Sequence, residues 1–493
     1  MAENEMGLTV KKDEDFSEWY TQILNKADLS DIRFGIQGFI VQKPWAYMII
    51  RKIYDYLEKE VEMQGHLPYR FPTVVKEKDL MKEEEHAGFT PEVFWVSEAG
   101  DKKIEERFAL RPTGEAQIYP MYSLWFRSYR DLPFLAYQSR NSVFRNEMTT
   151  RPFIRGREFM FFESHNVYNE HQEALDQIKK DLETCDEVIK KKAKIPFYYF
   201  KRPQWDKFLG ADDTFTPDTV MPDGKRNQLG STHDLGTNFA KAYDIKIRAK
   251  DGKQQLAFQT CFGPGIWRIF AAMVGIHGDD NGLVLPFDFA PVQVVIVPII
   301  FSKKKELTEK VLTMCKKLET DIRKMGYKVK LDDRDYESPG AKYNHWELKG
   351  VPMRLEVGPK EVDEKVVSLK LRTGGDKEKV NVSDLKKVIG SKALELDKEI
   401  EVRAQKYFKG NVREAKTLKE LVKIMKEHRG FVKVPFCSVE MDGEKCEEEM
   451  KAETQGGRVC GTLYPKEDKV AKGQKCMVCG KEAKHMVYIA KSY

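Results

Sequence analysis

Apolar residues recur at helical spacing over residues 43–64, where Trp45, Met48, Ile49, Ile53, Leu57 and Val61 share one face. That stripe predicts a long amphipathic helix, closed by Gly65 and followed by an edge strand over 69–75 that Pro72 interrupts. A shorter helix is expected over 15–30, and a hairpin within 93–118 that runs into Arg111, Pro112, Thr113, Gly114 and Glu115. Two β-prone runs, 135–144 and 158–162, predict a second hairpin around an arginine-rich loop. Residues 171–195 read as a polar helix stopping before Pro196, 197–200 as a strand, and 210–245 as a Gly-, Asp- and Thr-rich stretch too polar to be core. A strand over 256–261 then meets Gly263, Gly265 and an apolar helix.

The pattern changes after Pro286. Residues 291–300 form a buried-type strand, and the helix after it carries Leu307, Val311, Cys315, Leu318, Ile322 and Met325 on one face. With strands at 327–331, 353–357 and 366–372, this segment reads as a separate α/β unit. Residues 383–428 are helical and highly charged, and 431–436 are a strand. The expected organisation is an α/β multidomain chain with boundaries at 1–290, 291–395 and 396–493, the last an α+β domain.

Composition narrows the class. The 84 basic and 78 acidic residues nearly cancel, so any contact with nucleic acid comes from local patches rather than the net charge of +6. No apolar run approaches the ~20 residues a membrane helix needs, and the N-terminal stretch lacks the apolar centre of a signal peptide. A cytoplasmic protein without membrane contact is the expectation. Of the 8 cysteines, Cys185, Cys261 and Cys315 are scattered, while Cys437, Cys446, Cys460, Cys476 and Cys479 crowd the C-terminal end. The Cys-x-x-Cys-Gly at 476–480, joined by Cys437 and Cys446, matches a closed tetrahedral thiolate site for structural zinc, with Cys460 spare.

Chemistry-bearing residues fall in four places. The hairpin loop carries Arg145, Glu147, Arg151, Arg155 and Arg157, either a solvated basic surface or a set of forks for phosphate. Thr113 and Glu115 place a hydroxyl and a carboxylate two residues apart, as a helix cap or as a receptor for a small cation. Gly263 to Arg268 lets backbone approach a flat or phosphorylated ligand closely. In the second domain Tyr336, Tyr343 and Trp346 interleave with Lys342, Lys349, Arg354 and Lys360, the mixture of stacking faces and charge that unpaired RNA bases require.

In this order the pieces resemble the class II aminoacyl-tRNA synthetases, and among them the prolyl group of archaeal and eukaryotic type, over nearly the whole chain. The long helix and the strand near Pro72 are similar to motif 1, the dimer element. Phe144-Arg145-Asn146-Glu147 is similar to motif 2, Gly263 to Arg268 to motif 3, and Arg111 to Glu115 to the RPTxE turn of prolyl enzymes. The resemblance implies an antiparallel catalytic sheet flanked by helices, an anticodon-binding domain and a C-terminal zinc domain. It also implies activation of L-proline by ATP with Mg²⁺, transfer to tRNA(Pro), a homodimer, and no editing insertion.

The resemblance also implies individual roles. Arg145 bridges the ATP α-phosphate and the proline carboxylate; Glu147 contacts the adenine side, Arg155 the outer phosphates, Arg268 the γ-phosphate, and Gln228 lies near ATP and its Mg²⁺. Arg145, Glu147 and Arg268 are the catalytic set. Thr113 and Glu115 hold the proline imino group, with Phe161, Glu163, His165, Ser231 and His233 lining its pocket. Glu347, Arg354 and Lys360 read the anticodon beside a stacking Tyr343. Two other readings stand beside this one: a class II ligase for another amino acid, and a non-catalytic RNA-binding paralogue. Motif 3 departs from the common pattern, with Trp267 before its arginine where many relatives carry an acid.

Overall fold

The arginine-rich hairpin is built from strands Phe134–Phe144 and Glu158–Tyr168, which pair antiparallel in a computed structural model describing residues 7–87, 92–300 and 305–493. Residues 1–6, part of the stretch read for a signal peptide, lie outside the described residues. The hairpin register shifts between Gln138 and Asn141, where Arg140 has φ +56°. This bulge turns Arg140 towards the long helix, where it donates to Glu58 (2.8 Å) and Asp55 (2.6 Å).

The long helix spans Pro44–Met63, with proline at its first turn, where a missing N–H costs nothing. Trp45, Ile49, Ile53, Leu57 and Val61 are buried against the catalytic core, but Met48 of the predicted stripe is 44% exposed. The predicted strand over 69–75 is not continuous. Leu67–Pro68 pairs with Ala136 and Tyr137 at the edge of the large sheet, while Val74–Lys76 belongs to a separate three-stranded sheet. Pro72, which has no N–H to donate, lies where the chain leaves one sheet for the other.

The stretch read as too polar for core forms central strands instead. Asp213–Val220 and Gly230–Gly236 are almost wholly buried and lie between Tyr198–Lys201 and Phe258–Pro264 in the large sheet. Their polar groups are paired within the protein: Asp218 with Arg202 (2.9 Å), Asp234 with His171 (2.7 Å), and Thr232 donating to Asp181 (2.7 Å). Paired in this way, polar side chains are tolerated in a core. The helix expected to Ile195 is α-helical over His171–Cys185 and widens to a π-helical turn over Asp186–Lys192.

The second unit is a five-stranded mixed sheet, in which Val294–Pro298 pairs in parallel with Val329–Leu331 and Met353–Val357. Helix Lys305–Lys324 buries Val311, Cys315, Leu318 and Ile322 against it. The predicted helical run 383–428 is broken: helix Leu385–Gly410 is followed by strand Val412–Glu414 and helix Leu418–Glu427. The first of these helices carries the chain across position 395, with Ile389 and Leu396 in the second unit's core and Ala404 in the catalytic core.

The C-terminal unit continues the catalytic sheet. Strand Arg458–Leu463 pairs with Tyr198–Lys201 through Thr462 opposite Lys201 and Leu463 opposite Phe200. Among the described residues no helix is long and apolar enough to cross a membrane.

Candidate functional site

One cavity of about 380 Å³ opens between the hairpin, the buried polar strands and the glycine-rich turn. Thr113, Glu115, Arg145, Glu147, Arg155, Phe161, Glu163, Gln228, Ser231, His233 and Arg268 all line it. His165 does not; it is buried behind Glu163, with Nε2 3.0 Å from Glu163 Oε2 and Nδ1 2.9 Å from the Tyr119 hydroxyl. It therefore supports a lining carboxylate rather than forming the wall.

The acidic part of the cavity is assembled with little slack. The Thr113 hydroxyl donates to Glu115, and Gln138 Nε2 donates to Glu163. A Cβ at Gly114 would overlap the Glu163 carboxylate, so the turn that delivers Glu115 needs glycine there for space. Arg111, almost wholly buried, donates to Ser142 O (2.8 Å) and Gln138 Oε1 (3.2 Å), tying that turn to the hairpin.

Two histidines in this region have opposite electrostatics. Burial pushes the His233 pKa down to about 4, so at neutral pH its ring is uncharged between Thr214 (Nδ1, 2.9 Å) and Ser231 (Nε2, 2.9 Å). Burial also works against charge on His165, but the Glu163 hydrogen bond and the nearby charges of Glu163 and Glu115 prevail and raise its pKa. Two carboxylates, one neutral imidazole and a hydroxyl make a receptor for a small ammonium group.

The basic part is carried by the hairpin and the glycine-rich turn. The Arg145 amide donates to Arg157 O (2.9 Å) and its Nε to Pro112 O (3.3 Å). Arg155 lies 3.4 Å from the Glu147 carboxylate and also donates to Tyr493 O (3.1 Å), so the C-terminal residue reaches this site. Arg268 is the third residue of helix Ile266–Ala272, with Gly265 at the cap, and donates weakly to Ile154 O and Gln228 O. Trp267, in the position of the motif 3 departure, packs edge-on against Phe153 at 5.4 Å. The other hairpin arginines are structural: Arg151 donates to Ser17 O (2.7 Å), and Arg157 to Glu147 O (3.0 Å).

Arg202, Asp206, Lys207, Phe208, Thr216 and Arg226 also line the cavity and were not singled out from the sequence. Thr214, Thr216 and Asp218 alternate along one strand, a period-two signal that the polar composition of the stretch masked.

The second unit carries a distinct cluster. The Arg354 guanidinium stacks 3.9 Å from the Tyr343 ring centroid, 3.4 Å from Glu347 and 3.0 Å from Glu356, while Lys360 is exposed nearby in helix Pro359–Glu364. Two residues of the predicted RNA-facing set turn inward instead. Lys342 donates to Asp332 O (3.1 Å) and Trp346 Nε1 to Asp332 (2.8 Å), because the segment forms helix Pro339–Leu348 and buries that face.

Near the C-terminus the sulfurs of Cys437, Cys446, Cys476 and Cys479 lie within 4.8 Å of one another, and Cys437 and Cys446 are 3.6 Å apart. Tetrahedral zinc with Zn–S of ~2.3 Å sets its sulfurs ~3.8 Å apart, so the four thiols fit such an ion. Cys460 stands away from them, buried beside Arg202, which donates to its carbonyl (2.9 Å).

Residues 94–277 match the family described as tRNA synthetase class II core domain (G, H, P, S and T), residues 293–392 the anticodon binding domain, and residues 418–493 the prolyl-tRNA synthetase C-terminal domain. The chain is 49% identical to a proline-tRNA ligase of Thermofilum pendens, covering 99% of this chain and 100% of that one. It is 40% identical to that of Pyrococcus abyssi, over 97% and 98% of the two chains. Among solved structures, a prolyl-tRNA synthetase of Cryptosporidium parvum complexed with halofuginone and AMPPNP superposes with a TM-score of 0.93 at 32% identity, covering 99% of this chain and 100% of that one. The Giardia lamblia prolyl-tRNA synthetase in complex with prolyl-adenylate gives 0.92 at 32%, with the same coverage.

Proposed function

This chain belongs to the class II proline-tRNA ligases, and we propose that the cavity between the hairpin and the glycine-rich turn carries out their two-step reaction with the residue roles set out here. The enzyme activates L-proline with ATP to prolyl-adenylate and transfers the prolyl group to tRNA(Pro). The observation that carries the residue assignment is the meeting, in one cavity, of an acidic receptor and a cluster of arginines.

In the first step a proline carboxylate oxygen bonds to the α-phosphorus of MgATP. The bond from that phosphorus to the bridging oxygen breaks, and pyrophosphate leaves with the electron pair. Arg145 contacts both the carboxylate and the α-phosphate, Arg155 and Arg268 hold the outer phosphates, Glu147 faces the adenine side, and Gln228 lies near the Mg²⁺ that enters with ATP. Positioning and neutralisation of developing charge supply the rate, with no covalent help from the protein. In the second step a hydroxyl of the terminal ribose attacks the prolyl carbonyl and AMP leaves.

Selection of proline falls to Thr113 and Glu115, which hold the secondary ammonium, with Phe161, Glu163, Ser231 and His233 around the ring and His165 orienting Glu163. A missing methylene alone discriminates by only about 10 to 200-fold, so charge and shape must act together against alanine and cysteine. Proline-dependent exchange of pyrophosphate into ATP, with those two amino acids as controls, tests the function; no exchange by folded protein would refute it. Glu115→Gln is expected to raise KM for proline about 10 to 100-fold, the usual weight of a charged hydrogen bond. An unchanged KM would remove Glu115 from the receptor.

Glu347, Arg354 and Lys360 read the anticodon of tRNA(Pro). Because Arg354 already covers the Tyr343 ring, an incoming base meets the guanidinium face first. Arg354→Ala is expected to lower aminoacylation about 10 to 100-fold, the weight of one base contact, and to leave exchange, which needs no tRNA, intact. Equal losses in both assays would count against an anticodon role. Cys437, Cys446, Cys476 and Cys479 hold a structural zinc. Two copies associate through the exposed side of helix Pro44–Met63 and the following edge strand, where Met48, Met63 and Leu67 stand exposed among charged neighbours. The enzyme works in the cytoplasm without an editing insertion.

A further inference from the structure

Arg226 received no role from the sequence. It opens the short strand Arg226–Gln228, lines the same cavity as Arg145, Arg155 and Arg268, and is only 9% exposed. Its backbone N–H donates to Lys491 O (2.7 Å) and its Nε to the Ser492 hydroxyl (3.2 Å), so the C-terminal tail holds it from one side. Nη1 lies 3.6 Å from Asp218 Oδ2, is shut off from solvent and has no hydrogen bond of normal length, while burial of the guanidinium is outweighed by Cys460, Asp218 and Asp206, which hold it charged. The charge is therefore secured, but the nitrogen still lacks a hydrogen bond, and a ligand oxygen can supply one.

A second observation is electrostatic. Arg268 is pushed down to about 10, first by burial and then by the positive charges of Arg155, Arg226 and Arg145, with Asp218 opposing them. Arg145, Arg155, Arg226 and Arg268 share one cavity and repel one another, and a polyanion reverses the sign of that cost.

We infer that Arg226 is a fourth arginine of the triphosphate site, binding the outer phosphates of ATP and the departing pyrophosphate. The inference rests on the ATP site proposed above. Its chemistry is the same as that of Arg155 and Arg268: a planar fork matched to phosphate oxygens, pre-oriented so that little freedom is lost on binding.

The test varies ATP, inorganic pyrophosphate and proline separately in the exchange reaction of the full-length chain. Arg226→Ala is expected to raise KM for ATP and for pyrophosphate by about tenfold or more each, with KM for proline within about twofold. Arg226→Lys, which keeps the charge without the fork, should fall between and gives the same readout if the alanine variant does not fold. Ser492→Ala removes the tail contact and keeps the guanidinium, so most of the pyrophosphate affinity should remain. Unchanged KM for pyrophosphate in folded Arg226→Ala, or equal rises for ATP and proline, would overturn the inference. So would a Ser492→Ala variant that reproduces the full Arg226→Ala effect, since Arg226 would then serve only to anchor the tail. Absence of exchange in the unaltered chain would instead defeat the reading of the function.

Discussion

Arg145→Ala is expected to lower kcat/KM for proline-dependent pyrophosphate exchange by about a thousandfold. A single preorganised donor aimed at developing charge carries about 100 to 1,000-fold, and Arg145 is assigned to both reactants, which places it at the upper end. Little else in the fold depends on its side chain: it gives one long hydrogen bond to Pro112 O, while the strand around it is held by backbone pairing. Thermal stability should therefore change little. Arg145→Lys keeps the charge and loses the two-pronged geometry, so it should recover part of the loss at best. A loss under about tenfold in folded Arg145→Ala would show that the arginine touches at most one reactant. A rise in KM for ATP with kcat intact would assign it to ground-state binding alone.

Much of this site was legible in the chain because the informative residues sit on regular elements with local punctuation. The strands flanking the arginine loop are rich in aromatic residues, and Gly114, Gly263 and Gly265 mark the turns that deliver Glu115 and Arg268. What could not be read locally was burial paid back by distant partners. Asp213–Val220 looks like surface because its Thr and Asp residues are polar; it is core because Arg202, separated from it by a turn, donates to Asp218, and Thr219 donates to Pro196 O. Arg226 was missed for the same reason: its partners Lys491 and Ser492 lie at the far end of the chain. The resemblance placed His165 in the wall of the cavity, yet the Glu163 carboxylate fills the front and the ring stands behind it. Lys342 and Trp346 alternate with residues of the right chemistry for RNA, but helix Pro339–Leu348 turns them to Asp332.

The second large effect concerns the cysteine cluster, where loss of metal should reach the active site by two mechanical routes. Chelation, or Cys476→Ser, is expected to reduce zinc from one per chain to near zero and to lower Tm markedly, since zinc binding to a four-thiolate site supplies roughly 10–16 kcal/mol of folding free energy in small domains. The cysteines tie together the end of strand Phe431–Phe436, helix Glu444–Glu453 and the turn before strand His485–Ala490. That last strand pairs with Arg458–Leu463, which extends the catalytic sheet through Phe200 and Lys201. It also leads directly to Lys491, Ser492 and Tyr493, whose contacts fix Arg226 and Arg155. Pyrophosphate exchange should therefore fall by at least about tenfold with KM for ATP rising more than KM for proline, although the thiols themselves touch no reactant. Intact exchange in zinc-free protein would mean that the tail keeps its place without the metal, and substantially less than one zinc per chain in protein purified without chelator would remove the ion from the structure altogether.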